Sequence, residues 1–306
     1  MKLKRVEHPI LEPIPENPWE SRAVLNPATI RDGDEIHMLY RAVQGENLST
    51  IGYAKLDRNS KIVERRNQPV IKRTKPFERQ GCEDPRIVKL NGVYYIFYSG
   101  YDGKEVRVCA ASTRDFVKYD KYGVIIPDVW NKDAMIFPEP VNGKIIFIHR
   151  IEPNIQFAYF DNIEQLLFPD KNYWQKYLSR LEEFTVLRPK FDWESKKIGG
   201  GPPPIKTAKG WLLIYHGVDD NLVYRAGAAL LDLNNPQKVI ARSPVPILEP
   251  EREYELTGDV PNVVFPEGTA VFDDTLYVYY GGADKVIGLA TINLPEFIDE
   301  LTTYKA

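Results

Sequence analysis

A chain of 306 residues with 43% hydrophobic content is long enough to bury a large core in one or two domains. A net charge of −3 leaves no basic footprint for a nucleic acid, and no window approaches ~18 uninterrupted apolar residues, so neither a nucleic-acid partner nor a membrane span is expected. Two cysteines, Cys82 and Cys109, cannot build a disulfide framework and read as buried free thiols.

The start, Met1-Lys2-Leu3-Lys4-Arg5, is basic but runs into Val6-Glu7-His8-Pro9 instead of an apolar stretch. No signal peptide is read there, and a cytoplasmic location is expected. Beyond it one unit recurs five times. The first copy is Asn26-Pro27-Ala28-Thr29-Ile30, Gly33, then Ile36 to Arg41. The second opens on Glu83-Asp84-Pro85-Arg86, turns at Asn91-Gly92 and ends in Tyr98-Ser99-Gly100. The third runs from Met135 through Phe137-Pro138-Glu139 and Asn142-Gly143 to His149-Arg150. The fourth is Gly201-Pro202-Pro203-Pro204-Ile205-Lys206, Gly210, then Trp211 to Gly217; the fifth is Asn262 to Gly268, Asp273-Asp274, then Leu276 to Gly282.

Each copy is an apolar strand, a turn carrying Gly, Asn or Asp, and a second apolar strand, which is the signal for a hairpin. A Gly- and Ala-rich third strand follows, as in Ile51-Gly52-Tyr53-Ala54 and Ala226-Gly227-Ala228-Ala229. The second strands close at Tyr40, Tyr98, His149, His216 and Tyr280, roughly 50 to 70 residues apart, a period that suits propeller blades. The expected fold is therefore all-β: a five-bladed β-propeller forming a single domain over residues 1–306. Residues 163–195 break the pattern and read as short helical insertions; Pro295 to Leu301 reads as a C-terminal helix.

Strand ends from distant blades meet near one axis, so the polar residues at those ends form the candidate site. The openings supply Asn26, Glu83, Asp84, Arg86, Lys132, Asp133, Glu139, Lys197 and Asp259; the closing ends supply Arg41, Arg150, His216 and Asp284. Mixed acids and bases converging on an apolar scaffold read as a binding pocket. Bland readings stand beside this one. Asn26-Pro27 and Asp84-Pro85 also suit ordinary turn starts, and Lys132-Asp133 suits a solvated pair. His37, alternating with apolar neighbours, reads as structural. Gly199-Gly200-Gly201 lacks the Lys-Ser/Thr of a P-loop, and four scattered histidines do not make a zinc site.

In order along the chain, Leu39-Tyr40-Arg41-Ala42-Val43, Glu83-Asp84-Pro85-Arg86, Asn131-Lys132-Asp133-Ala134, Phe137-Pro138-Glu139, His149-Arg150, Lys197 to Ile205, Gly210 to Val218, Tyr224-Arg225, Gly258 to Pro266 and Tyr279 to Asp284 resemble glycoside hydrolase family 130, the β-mannoside phosphorylases and related mannosidases. The family fold is a five-bladed β-propeller. The resemblance implies inverting phosphorolysis of a β-mannoside to α-mannose 1-phosphate, with β-1,2-linked substrates favoured over β-1,4. It makes Asp84 the general acid, acting through the 3-hydroxyl of the mannose. It assigns phosphate to Arg150, Lys197, His216 and Tyr224. It assigns the sugar to Asn26, Arg41, Lys132, Asp133 and Asp284, with Asp259 beside them, and gives Glu83 and Arg86 to positioning the acid. Inorganic phosphate is then a co-substrate; no metal or organic cofactor is expected, and a homo-oligomer is allowed. Two alternatives stand: an inverting mannosidase pairing Asp84 with Glu139 or Glu267 as base, and a non-catalytic sugar-binding propeller.

Overall fold

In the computed structural model, which describes residues 1–127 and 129–306, the strands assemble into five antiparallel meanders. The first comprises Ala23–Asp32, Glu35–Gln44, Leu48–Asp57 and Ile62–Arg65. The second comprises Gly81–Leu90, Val93–Tyr101, Val106–Thr113 and Asp120–Val124; one parallel bridge, Ser49 to Gly81, links it to the first. The third is Lys132–Ile136, Ile145–Ile151, Asn154–Phe160 and Thr185–Leu187. In the fourth the opening strand is split into Lys197–Gly200 and Ile205–Thr207, ahead of Gly210–Val218, Tyr224–Leu231 and Val239–Arg242. In the fifth, Val264–Phe272, Thr275–Gly282 and Val286–Asn293 are completed by Lys4–Arg5, which pairs Lys4 with Thr291 and Arg5 with Ala290.

Local chemistry explains the hairpins. Asn91 and Gly92 take φ of 51° and 74°, and Asn142 and Gly143 take 52° and 73°, the left-handed conformations that a tight hairpin turn requires. The strands between them are apolar on both faces because both faces are buried. Alternation sends Ile146 and Ile148 toward the fourth meander and Ile145 and Phe147 toward the second. Five large apolar clusters result, each drawn from two meanders: first with second, second with third, third with fourth, fourth with fifth, and fifth with first. Cys82 and Cys109 are free and buried within this core.

The stretch 163–195 is only partly helical. Ile163–Leu167 and Lys171–Ser179 are helices, capped by Asn162 and Asp170, while Thr185–Leu187 is the third meander's outer strand. The last helix, Leu294–Leu301, starts at Asn293, whose side chain accepts the Glu296 N–H at 3.0 Å.

Four meanders share a buried lock. Glu20, Glu78, Glu194 and Glu255 sit in short helical turns ahead of the opening strands and are fully buried. Each accepts a tyrosine hydroxyl from the second strand: Tyr40 at 2.8 Å, Tyr98 at 2.8 Å, Tyr215 at 2.9 Å and Tyr280 at 2.6 Å. Each also meets a cation from the outer strand, Arg65, Lys121, Arg242 or Arg5. Burying charge is unfavourable unless it is paired and hydrogen-bonded, and this arrangement does both. In the third meander His149 replaces the tyrosine, between Asn131 at 2.8 Å and Tyr177 at 2.6 Å.

Candidate active site

Asp84-Pro85 is not a turn at the mouth of a strand; it lies within the strand Gly81–Leu90. The pairing there slips between Glu83 and Arg86, and Asp84 takes φ of 52°. The same irregularity recurs at Asn26 (φ 50°, slip between Leu25 and Pro27) and Asp133 (φ 56°, slip between Lys132 and Met135). In the fifth meander the slip falls at Glu267. These are β-bulges, where an extra residue re-aims a side chain, and Asn and Asp tolerate the left-handed backbone best. A proline directly after the bulged residue (Pro27, Pro85) is tolerated because the ladder is already broken there.

Asn26, Asp84 and Asp133 converge on an open cavity of about 740 Å³. Arg41, Lys132, Arg150, Lys197, His216, Tyr224 and Asp284 line it too, from all five meanders and their loops. Glu83, Arg86, Glu139 and Asp259, all read into the site, do not line it. Glu83 is buried behind Arg41, accepting its Nη2–H at 2.9 Å. Arg86 lies beneath the cavity, 1% exposed. Asp259 stands outside, paired with Arg22 at 2.6 Å. The closing residues Tyr40, Tyr98, His149 and Tyr280 do not reach the cavity either, because their polar ends are spent on the locks. In the fourth meander the lock residue is Tyr215, so its neighbour His216 points the other way, into the cavity.

Around Asp84 the contacts are dense. Asn26 Nδ2–H donates to its Oδ1 at 2.8 Å, Arg41 Nη1 lies 3.3 Å from the same oxygen, and Lys132 Nζ lies 3.7 Å from Oδ2. Burial alone would raise this carboxyl, but Arg41, Lys132 and Arg86 hold it well below the usual carboxylate range. Asp284 shows the opposite balance. Burial, with Asp84 and Asp259 adding to it, outweighs Arg41 and Lys132 and lifts it to about 6.

A second group surrounds Asp133. Arg150 Nε is 2.9 Å from its Oδ2, Arg86 Nη2 is 3.2 Å from Oδ1, and His216 Nε2 is 3.7 Å from Oδ2. Burial lowers His216 to about 3 despite Asp133, so at neutral pH the ring is uncharged. His216 therefore offers a ring N–H and not a cation. Among the described residues neither ring nitrogen has a hydrogen-bond partner, although the ring is buried against Phe265. Gly199 makes this packing possible: a Cβ there would collide with Asp133 Oδ2 and His216 Cε1. Lys197 completes the group, with Nζ 2.8 Å from Glu152.

Glu139 and Glu267 stand elsewhere. Glu139 is half-exposed and paired with Lys206. Glu267 is fully buried beneath the cavity, 2.7 Å from Arg86 Nη1; burial, reinforced by Asp84 and Asp133, pushes it well above the usual carboxylate range against the pull of Arg86.

The family model described as beta-1,4-mannooligosaccharide phosphorylase matches residues 2–303. The chain belongs to glycoside hydrolase family 130. It is 44% identical, over 97% of its length and 99% of the relative's, to a 1,2-beta-oligomannan phosphorylase of Thermoanaerobacter sp. (strain X514). It is 42% identical, over 93% and 94%, to a beta-1,2-mannobiose phosphorylase of the same organism. The structure of the Listeria innocua beta-1,2-mannobiose phosphorylase in complex with beta-1,2-mannobiose superposes with a TM-score of 0.86, covering 99% of this chain and 100% of that one at 26% identity.

Within this family member, Trp130, Glu152, Val260, Val263 and Phe265 line the cavity without having been singled out as site residues in the sequence. Glu152 lies in the turn just after the strand Ile145–Ile151, so strand alternation carried no signal for it.

Proposed function

We propose that this protein is an inverting β-mannoside phosphorylase acting on β-1,2-mannooligosaccharides. The observation that carries this is the presence of an anion-binding set, Arg150, Lys197, the uncharged His216 ring and Tyr224, in the same cavity as Asp84. Such donors suit a phosphate nucleophile, which needs charge-assisted hydrogen bonds and no base. A phosphate oxygen attacks C1 of the terminal mannose, and the bond from C1 to the bridging oxygen breaks. Asp84 supplies the proton that the bridging oxygen takes up, relayed through the mannose 3-hydroxyl. The products are α-mannose 1-phosphate and a shortened mannooligosaccharide. Asn26, Arg41, Lys132, Asp133 and Asp284 bind the sugar, and Glu83 and Arg86 hold these groups in place from behind and below.

A hydrolase would need a second carboxylate to activate water. Glu139 and Glu267 do not line the cavity. Asp133, Glu152 and Asp284 do. Paired cations hold the first two below their ordinary range, which makes them weak bases. Asp284, lifted to about 6, is the one carboxylate there tuned to act as a base, and here it is assigned instead to binding the sugar. We also read the five meanders as propeller blades, because the apolar clusters link them in a closed cycle. Two unpaired cysteines favour a cytoplasmic location.

The test is incubation with β-1,2- and β-1,4-mannobiose, with and without inorganic phosphate. Phosphate-dependent release of α-mannose 1-phosphate from the β-1,2 substrate is expected, with turnover reduced at least about 100-fold in Asp84→Asn. Equal cleavage to free mannose without phosphate would overturn the reading.

A further inference from the structure

Two basic side chains of the proposed phosphate site already share an anion. Glu152 Oε1 lies 2.8 Å from Lys197 Nζ and 3.4 Å from Arg150 Nη1. Arg150 has two edges with different partners. Its Nε edge faces Asp133, which is 2% exposed and fixed from below by Arg86, whereas its Nη1 faces Glu152 and the cavity. Asp133 cannot leave. Glu152 can: its side chain is 44% exposed, and it stands just past the end of the strand Ile145–Ile151.

A carboxylate oxygen and a phosphate oxygen make the same charge-assisted contacts, with N to O of about 2.7–2.9 Å. The two anions cannot occupy one seat together, since their charges repel and the donors are shared. Building on the phosphorylase reading, we propose that Glu152 is an internal competitor for phosphate. It holds Lys197 and the open edge of Arg150 in the resting site and swings toward solvent when phosphate binds. It then competes again when the sugar phosphate must leave. The cations are thereby kept ordered between turnovers, and affinity for phosphate is held below what they could deliver.

The size of the effect follows from the exposure. Half-exposed ion pairs are weak, and a ligand's apparent affinity falls only by the fraction of sites closed to it. Glu152→Gln, which keeps the shape and removes the charge, is therefore expected to bind inorganic phosphate about three- to tenfold more tightly.

The experiment is calorimetric titration of inorganic phosphate into the full-length protein without mannoside, in wild type, Glu152→Gln and Glu152→Ala. It is paired with steady-state KM values for phosphate and for β-1,2-mannobiose. Tighter phosphate binding in both variants and a lower phosphate KM, with the mannobiose KM unchanged, support the competitor role. Adding Lys197→Ala to Glu152→Gln should erase most of that gain. Unchanged or weaker phosphate binding in the glutamine variant overturns the inference, because Glu152 would then orient Lys197 instead of competing for it. If wild type binds no phosphate and cleaves without it, the phosphorylase reading itself falls, and loss of that cleavage in Glu152→Gln would mark Glu152 as a base.

Discussion

Arg86 is the residue whose removal tests the architecture of the site most directly. It is 1% exposed and serves five acceptors. Its Nη1 meets Glu267 at 2.7 Å and donates to the Asp84 carbonyl at 3.0 Å. Its Nη2 donates to Asp133 at 3.2 Å and to the Gly200 carbonyl at 3.0 Å, and its Nε donates to the Gly201 carbonyl at 3.2 Å. Arg86→Met keeps much of the volume and removes every donor. Breaking a buried pair by removing one partner costs about 3–5 kcal/mol, a large share of the roughly 5–15 kcal/mol by which domains are stable. The loss should depend on pH. Glu267, already raised by burial, rises further without Arg86. A carboxyl raised in the folded state carries no penalty below its unfolded pKa of about 4.3, and the penalty grows as pH rises toward the folded value. Urea midpoints should therefore separate wild type and Arg86→Met more at pH 8 than at pH 5. Adding Glu267→Gln should restore about 1–2 kcal/mol at pH 8. A loss below about 1 kcal/mol, or a gap that does not widen with pH, would refute the view that Arg86 compensates these two carboxylates.

Tyr215→Phe removes the hydroxyl shared by Glu194 and Arg242, at 2.9 and 3.0 Å. A loss of about 1–3 kcal/mol in thermal or urea unfolding is expected, with the mannoside KM unchanged; impaired binding in a folded variant would contradict a purely structural lock. Asp284→Asn tests a raised carboxyl. Burial lifts Asp284 to about 6, so its contribution to stability is intact below an unfolded pKa of about 3.9 and is lost as pH rises through 6. The variant should therefore gain Tm relative to wild type between pH 4.5 and pH 7.5, and an equal difference at both would contradict this.

The repeat was legible because hairpins leave local marks: Asn-Gly turns at left-handed φ, and strands apolar on both faces. The outer strands were not. Ile62–Arg65, Thr185–Leu187, Val239–Arg242 and above all Lys4–Arg5 are short and partly polar, and their pairing is set by distant partners. A second repeat went unread. Trp19-Glu20, Phe77-Glu78, Trp193-Glu194 and Tyr254-Glu255 each place an aromatic-Glu pair six or seven residues ahead of Asn26, Asp84, Gly200 or Asn262. Those are the lock glutamates, and they explain why tyrosines close the second strands. Without them, the reason that Tyr40, Tyr98 and Tyr280 close their strands was missing, and the one-residue step from Tyr215 to His216 was invisible.

The proposed acid starts from an unfavourable protonation state. Arg41, Lys132 and Arg86 hold Asp84 ionised in the resting enzyme, whereas a general acid must carry a proton. Those cations are matched against carboxylates while the nucleophile is absent. A phosphate dianion entering the same cavity changes the balance. At an effective dielectric near 20, one unit charge about 8 Å away contributes roughly 2 kcal/mol, close to 1.5 pKa units, and a dianion about twice that. On the phosphorylase reading, that charge raises Asp84 back toward the ordinary carboxylate range when the nucleophile arrives, whereas a water nucleophile brings no such charge. The bulge at Asp84, pinned from below by Arg86, keeps the carboxyl among those cations.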